Sequence, residues 1–168
     1  MGAQIRRIAP GEGSLLRDVR LAALADTPGA FATSFAEESK WPADAWEAWA
    51  AERSDGHEAA NFVVESAQGV LGLVGAHCNC EEPATVELVS MWVAPHARGR
   101  GLGAQLVERV VEWAEGGGAV RVALWVMRGN DPAISLYRRV GFVATDLPDG
   151  AAAHPCNTEL RMVRDLAR

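Results

Sequence analysis

Arg98-Gly99-Arg100-Gly101-Leu102-Gly103 puts three glycines and two guanidinium groups within six residues, where an apolar run passes into an amphipathic one. The run Val86-Glu87-Leu88-Val89-Ser90-Met91-Trp92-Val93 reads as a strand. From Gly101 to about Glu115, Leu102, Leu106, Val107, Val110, Val111 and Ala114 recur at helical spacing. Glycines let a backbone approach a bulky anion, and the first turn of a helix offers unpaired N–H groups and partial positive charge. With two arginines alongside, this stretch has the chemistry of a phosphate cradle, sized for a pyrophosphate.

Three nucleotide motifs compete for it. A P-loop needs Lys-Ser/Thr after its second glycine, and Ala104-Gln105 follow Gly103 here. The dinucleotide fingerprint needs G-x-G-x-x-G after a first strand, but the glycines stand at 99, 101 and 103 and follow a late one. The third pattern, R/Q-x-x-G-x-G/A, is met by Arg98, Gly101 and Gly103. About thirty residues on comes Asn130-x-x-Ala133-x-x-x-Tyr137-x-x-x-Gly141-Phe142.

These two segments, in this order and spacing, resemble the GCN5-related N-acetyltransferase (GNAT) family. The strand ending in Ala94-Pro95 is similar to the family's strand leading into the loop. The resemblance is specific over residues 85–145 and extends by layout from about residue 60. It implies an α+β fold with a mixed, partly parallel central sheet flanked by helices, whose splayed parallel strands, here Thr85–Val93 and Val120–Val126, hold acetyl-CoA. Splaying would leave backbone groups of Met91 and Val93 without strand partners, and a pantetheine arm can supply them as an added strand would. The implied cofactor contacts are Met91, Trp92, Val93, Arg98, Gly99, Arg100, Gly101, Leu102, Gly103, Ala104, Asn130 and Ala133.

Moving an acetyl group from a thioester to an amine requires a neutral amine, a stabilised carbonyl oxygen and a protonated leaving sulfur. The resemblance places a backbone N–H near Met91 as the oxyanion donor and makes Tyr137 the acid. Glu87 stands where many relatives carry a glutamate base. On a regular strand Glu87 faces the same side as Val89, Met91 and Val93 but lies roughly 13 Å from Met91, so it would act through water or a bulge. Ser90, Cys78 and Cys80 have no identifiable activating partner, which favours direct transfer in a ternary complex over an acyl-enzyme. His96 is expected to face solvent or phosphate. The alternatives are a non-catalytic acyl-CoA-binding or regulatory module, and a nucleotide-binding protein.

The elements that must position these groups are legible in part. Ile5–Ile8 is a short strand, and Ser14 is placed to cap a helix through about Leu24, broken at Asp26-Thr27-Pro28-Gly29. Pro42 opens a second helix, and residues 30–53 hold Phe31, Phe35, Trp41, Trp46 and Trp49, which pack helices onto the sheet or line a pocket. Strands follow at Asn61–Glu65 and Val70–Cys80, joined near Gln68-Gly69. Gly116-Gly117-Gly118 ends the long helix, Asp131 caps a short one with Pro132 at its first position, and Phe142–Thr145 and Leu160–Val163 are late strands. Residues 146–158 read as a loop.

At 168 residues, about half of them apolar, the chain is expected to be one domain over 1–168. The net charge of −6 argues against a nucleic-acid partner. No apolar run reaches membrane-spanning length, and no leader pattern is evident, so a cytoplasmic location is expected. Three cysteines without framework spacing read as free thiols. His77, Cys78, Cys80, His154 and Cys156 match no familiar zinc spacing, so no metal is expected. The partner is a small-molecule or peptide amine; Asp26, Glu37, Glu38 and Asp149 hint at a cationic one. A homodimer is common among relatives.

Overall fold

A computed structural model describes residues 2–145 and 158–167. Seven strands form one mixed sheet in the order β1-β2-β3-β4-β5-β7-β6. The strands are β1 (Gln4–Arg7), β2 (Ala59–Ser66), β3 (Gly69–Cys78), β4 (Thr85–Val93), β5 (Arg121–Met127), β6 (Val143–Ala144) and β7 (Glu159–Asp165). The helices are α1 (Gly13–Asp26), α2 (Phe35–Glu38), α3 (Ala43–Glu52), α4 (Leu102–Gly116) and α5 (Asp131–Arg139). All neighbouring strands are antiparallel except β4 and β5. This is the mixed, partly parallel sheet expected. None of the described helices is long and apolar enough to cross a membrane.

Helices cover both faces. Leu106 of α4 lies over Gly72, where a Cβ would sit 3.2 Å from its Cδ1. Gly75, three residues on and so on the opposite face, lies beneath α1 and α3. The α4 stripe of Leu106, Val107 and Val110 is fully buried against the sheet. Trp46 and Leu16 close the other side. Trp41, Trp46 and Trp49 form one ring cluster with centroids 5.0–5.8 Å apart, so they pack the helices together.

Caps differ from the sequence reading in two places. Ser14 lies inside α1, whose N-cap is Glu12 without a side-chain bond. The carboxylate of Glu47 on α3 instead accepts the N–H groups of Gly11 (2.5 Å) and Gly13 (3.1 Å). Gly13 permits this approach, since a Cβ there would lie 2.6 Å from the Glu47 nitrogen. For α5 the cap is Asn130 rather than Asp131, its Oδ1 accepting from the Ala133 N–H at 3.3 Å, with Pro132 in the first turn. The short helix α2, which periodicity did not reveal, starts with a capping box between Ser34 and Glu37.

Candidate active site

Parallel β4 and β5 pair only at Thr85↔Arg121, Val86↔Val122 and Glu87↔Ala123. Both strands then continue, β4 to Val93 and β5 to Met127, without pairing to each other. The outer edges remain bonded, β4 to β3 and β5 to β7. From Leu88 and Leu124 onward the inner edges diverge and expose backbone N–H and C=O groups, as the splay expected from the sequence requires.

A cleft of about 120 Å³ opens in that gap, lined by Leu88–Met91, Trp125–Met127, Asn130, Ala133, Leu136, Tyr137, Ala30 and Glu159. Tyr137 is buried there on α5, its ring 5.8 Å from that of Phe142. Burial pushes its phenol far above the usual tyrosine value, so it keeps its proton across the working pH range.

A bulge shapes the cleft's β4 wall. The register runs Leu73↔Trp92 and then Gly75↔Val89, so Ser90 and Met91 together oppose Val74. Ser90 takes a left-handed conformation, φ 56°. The extra residue inverts the alternation beyond it. Glu87, opposite His77, and Val89, opposite Gly75, face α1 and α3. So do Ser90, whose Oγ accepts from Arg20 at 2.9 Å, and Trp92, whose Nε1 donates to Asp26 at 2.9 Å. Met91 is on the α4 side, its Cε 3.3 Å from where a Gly103 Cβ would stand. Glu87 and Met91 thus face opposite sides, which corrects the shared side expected of a regular strand. Glu87 is buried, takes a 3.4 Å hydrogen bond from Asn79 Nδ2 and sits one residue below the cleft lining.

The glycine loop lies at the cleft's α4 end. Gly99 and Gly101 have φ of 77° and 78°, a region L side chains rarely adopt, and Gly99 has open space on its Cβ side. Gly101 is the N-cap of α4 and supplies no side-chain acceptor, so the N–H groups of Leu102, Gly103 and Ala104 begin the helix without a side-chain cap. Gly103 serves packing: a Cβ there would fall 3.0 Å from Leu136. Leu102 is buried, and Arg100 is exposed. Arg98 is turned back: its Nε donates to the Val93 carbonyl at 2.9 Å, and its guanidinium pairs with Asp26. The Trp92 indole bond, then Arg98, pull the Asp26 carboxyl below its ordinary value. The side chain of Trp92 is therefore on the α1 side, leaving only its backbone to the cleft edge.

Other sequence candidates fall elsewhere. Cys78 and Cys80 are exposed; the Cys78 thiol donates to the His57 carbonyl, and burial, then Glu58, push it up, away from a nucleophile's thiolate. His96 is exposed in a turn at Pro95–Ala97. Among the described residues no metal-binding group of histidine, cysteine and carboxylates forms; His154, Cys156 and Asp149 lie outside them. The carboxylates read as a hint of a cationic acceptor are committed: Asp26 to Arg98, Glu38 to Arg20 and Glu37 to the α2 cap. Trp125 and Glu159 line the cleft but went unnoticed in the sequence. Both reach it only through the β5–β7 register, where Met127 opposes Glu159, and no local pattern encodes that.

A sheet opened between two parallel strands, with a glycine-capped helix and a buried tyrosine at the opening, defines a class of acyl-carrier-binding folds. The profile of the acetyltransferase (GNAT) family matches residues 22–142, and the chain belongs to that family. An uncharacterised N-acetyltransferase of Methanocaldococcus jannaschii is 34% identical over 93 residues, 53% of this chain and 41% of that protein. The Salmonella typhimurium protein yncA, solved with its cofactor acetyl-CoA, superposes with a TM-score of 0.77 at 21% identity, over 100% of this chain and 96% of that one. A GNAT-family acetyltransferase from Streptococcus pneumoniae gives 0.76 at 19%, over 98% and 100%. The chain spans less than half the length of the curated relatives it matches.

Proposed function

We propose that this chain is an acetyl-CoA-dependent N-acetyltransferase that passes the acetyl group directly to an amine, with residues 1–168 acting as one domain around a cofactor core at 85–145. The observation that carries this is the cleft itself. It joins unpaired β4 and β5 edges, an uncapped helix start and a buried phenol along one path.

The residues fit the donor part by part. The N–H groups of residues 99–104 and the exposed Arg100 would hold a pyrophosphate, with Gly99 and Gly101 allowing close approach. Arg98, bound to Val93 and Asp26, shapes the loop rather than meeting the phosphates. The free edge at Met91–Val93 would hold amide groups, while Asn130 sets the start of α5 and Ala133 lines the cleft beside it. When bound, the thioester supplies the activated acetyl group. The backbone N–H near Met91 stabilises charge on its oxygen, and Tyr137 gives its proton to the departing sulfur. Burial keeps the phenol protonated and able to hydrogen-bond the leaving sulfur. Because it is a weaker acid than a thiol titrating at about 8.5, the proton it gives up is returned from the one the amine sheds on acylation.

Two carboxylates border the acceptor side. Glu87 is the base proposed on β4, acting across the one-residue offset through water, and Glu159 stands on the cleft wall. Comparing thiol release by Glu87→Gln and Glu159→Gln over a range of pH assigns the role: the base is the residue whose loss removes the acid limb. The reaction itself is tested by free-thiol release from acetyl-CoA over a panel of amines, alongside calorimetry. Binding of acetyl-CoA without amine-dependent release would make the chain an acyl-CoA-binding module. Binding of ATP or NAD in its place would overturn the reading.

A further inference from the structure

The face of the sheet beneath α1 and α3 carries a cation, Arg53, that makes no ion pair among the described residues, although the charge of Glu52 acts on it. Arg20 is neutralised by both oxygens of Glu38 at 2.9 and 2.7 Å, and Arg161 by Glu82 at 2.7 Å. Arg53, just past the end of α3, pairs with no carboxylate among the described residues. Its side chain reaches only the Ala76 carbonyl, at 3.4 Å, and its Nε is buried without a partner. The guanidinium stacks 5.4 Å from the Trp49 ring centre, with Arg20 5.8 Å from the same ring. His77 is close by, held down by burial and then by the charge of Arg53.

Asn61 lies between Arg53 and the cleft. It is 1% exposed, and neither carboxamide atom has a partner among the described residues. Its Oδ1 projects over Gly75, where a Cβ would be 2.7 Å from it and 3.6 Å from the Cβ of Ser90. Ala76, which Arg53 touches, pairs with Leu88, two residues from Ser90 on the cleft wall, or roughly 7 Å along the strand. An unpaired guanidinium and an unsatisfied carboxamide N–H are costly to the free protein, and a carboxylate can accept from both the Arg53 guanidinium and Asn61 Nδ2.

We infer that the acceptor is an amine that also bears a carboxylate, bound by Arg53 with the amide of Asn61 while its amino group reaches the cleft beside Ser90. The inference rests on the acetyltransferase reading above. It reverses the cationic acceptor suggested by the chain's acidic residues, because Asp26, Glu37 and Glu38 are held by other groups while Arg53 has no ion-pair partner among the described residues.

The test is thiol release from acetyl-CoA with free amino acids, their carboxamides and the matching decarboxylated amines. Carboxylate-bearing amines are expected to be preferred. Arg53→Gln should raise their KM about ten- to a hundredfold, the worth of one charged hydrogen-bonded contact, with kcat and the KM for acetyl-CoA little changed and the preference over carboxamides lost. Arg53→Lys should restore part of it, which separates charge recognition from misfolding. Preference for decarboxylated amines, or an Arg53→Gln enzyme that keeps its discrimination, overturns the inference and leaves the acetyltransferase reading standing. No turnover with any amine overturns both.

Discussion

Tyr137 has one polar atom, and its surroundings decide what that atom does. Removing the hydroxyl in Tyr137→Phe should lower kcat roughly a hundredfold, at the lower end for a positioned acid, while calorimetry finds acetyl-CoA affinity nearly unchanged. Because burial raises the phenol, any fall in wild-type rate below about pH 10 comes from another group, and the same limb should persist in the variant. Asp26 is a second informative residue, since it ties the indole of Trp92 to Arg98. Its lowered pKa means that its contribution to stability is present above the ordinary carboxylate range and is lost as pH falls through the folded value. Asp26→Asn should therefore cost about 1–2 kcal/mol near neutral pH, with the difference from wild type shrinking in acid, as read by urea unfolding. A difference that stays constant into acid would show that the ionised carboxylate is not the source. Loosening Arg98 should also weaken acetyl-CoA binding.

At the scale of elements, the bulge in β4 joins the two halves of the site. One inserted residue turns Ser90 and Trp92 toward α1 and Met91 toward α4, so a single strand serves both the proposed acceptor face and the proposed cofactor side. Arg20 fastens the bulge by bonding Ser90 while paired to Glu38 of α2. That pair is almost wholly buried, so Glu38→Ala leaves an uncompensated charge and should cost about 3–5 kcal/mol in equilibrium unfolding. A loss under 1 kcal/mol would mean that water reaches the pair. Gly75→Ala tests the same region from the sheet, because its methyl would meet Asn61 Oδ1 at 2.7 Å. A loss of about 1–3 kcal/mol is expected.

For the whole molecule, the opening between β4 and β5 is the feature a ligand must complete. Acetyl-CoA binding should slow amide hydrogen exchange in Leu88–Val93 and Leu124–Met127 more than in β2 or β3, which are paired along both edges. At a hundred times its Kd it should add about 2.7 kcal/mol of stability. Uniform protection across the sheet, or none at the two edges, would place the ligand elsewhere.

The sequence by itself carried the two segments on which the cofactor proposal stands: Arg98–Gly103 and Asn130–Phe142 are local patterns, legible without knowing the fold. It also determined the strands that diverge, because their apolar runs are continuous. Only the tertiary structure decided which way Glu87 and Met91 face, since one residue of bulge reverses every side chain beyond it and leaves no local signature. The cap on α1 comes from Glu47, 34 positions after Gly13, and the pairing of Arg98 with Asp26 spans 72. Charge followed the same rule. Composition showed an acidic chain, but folding matched the carboxylates of Asp26, Glu38 and Glu82 to arginines and left Arg53 without an ion-pair partner among the described residues. Partner choice over such distances is set by packing, which acts on the folded surface and not on neighbours in the chain.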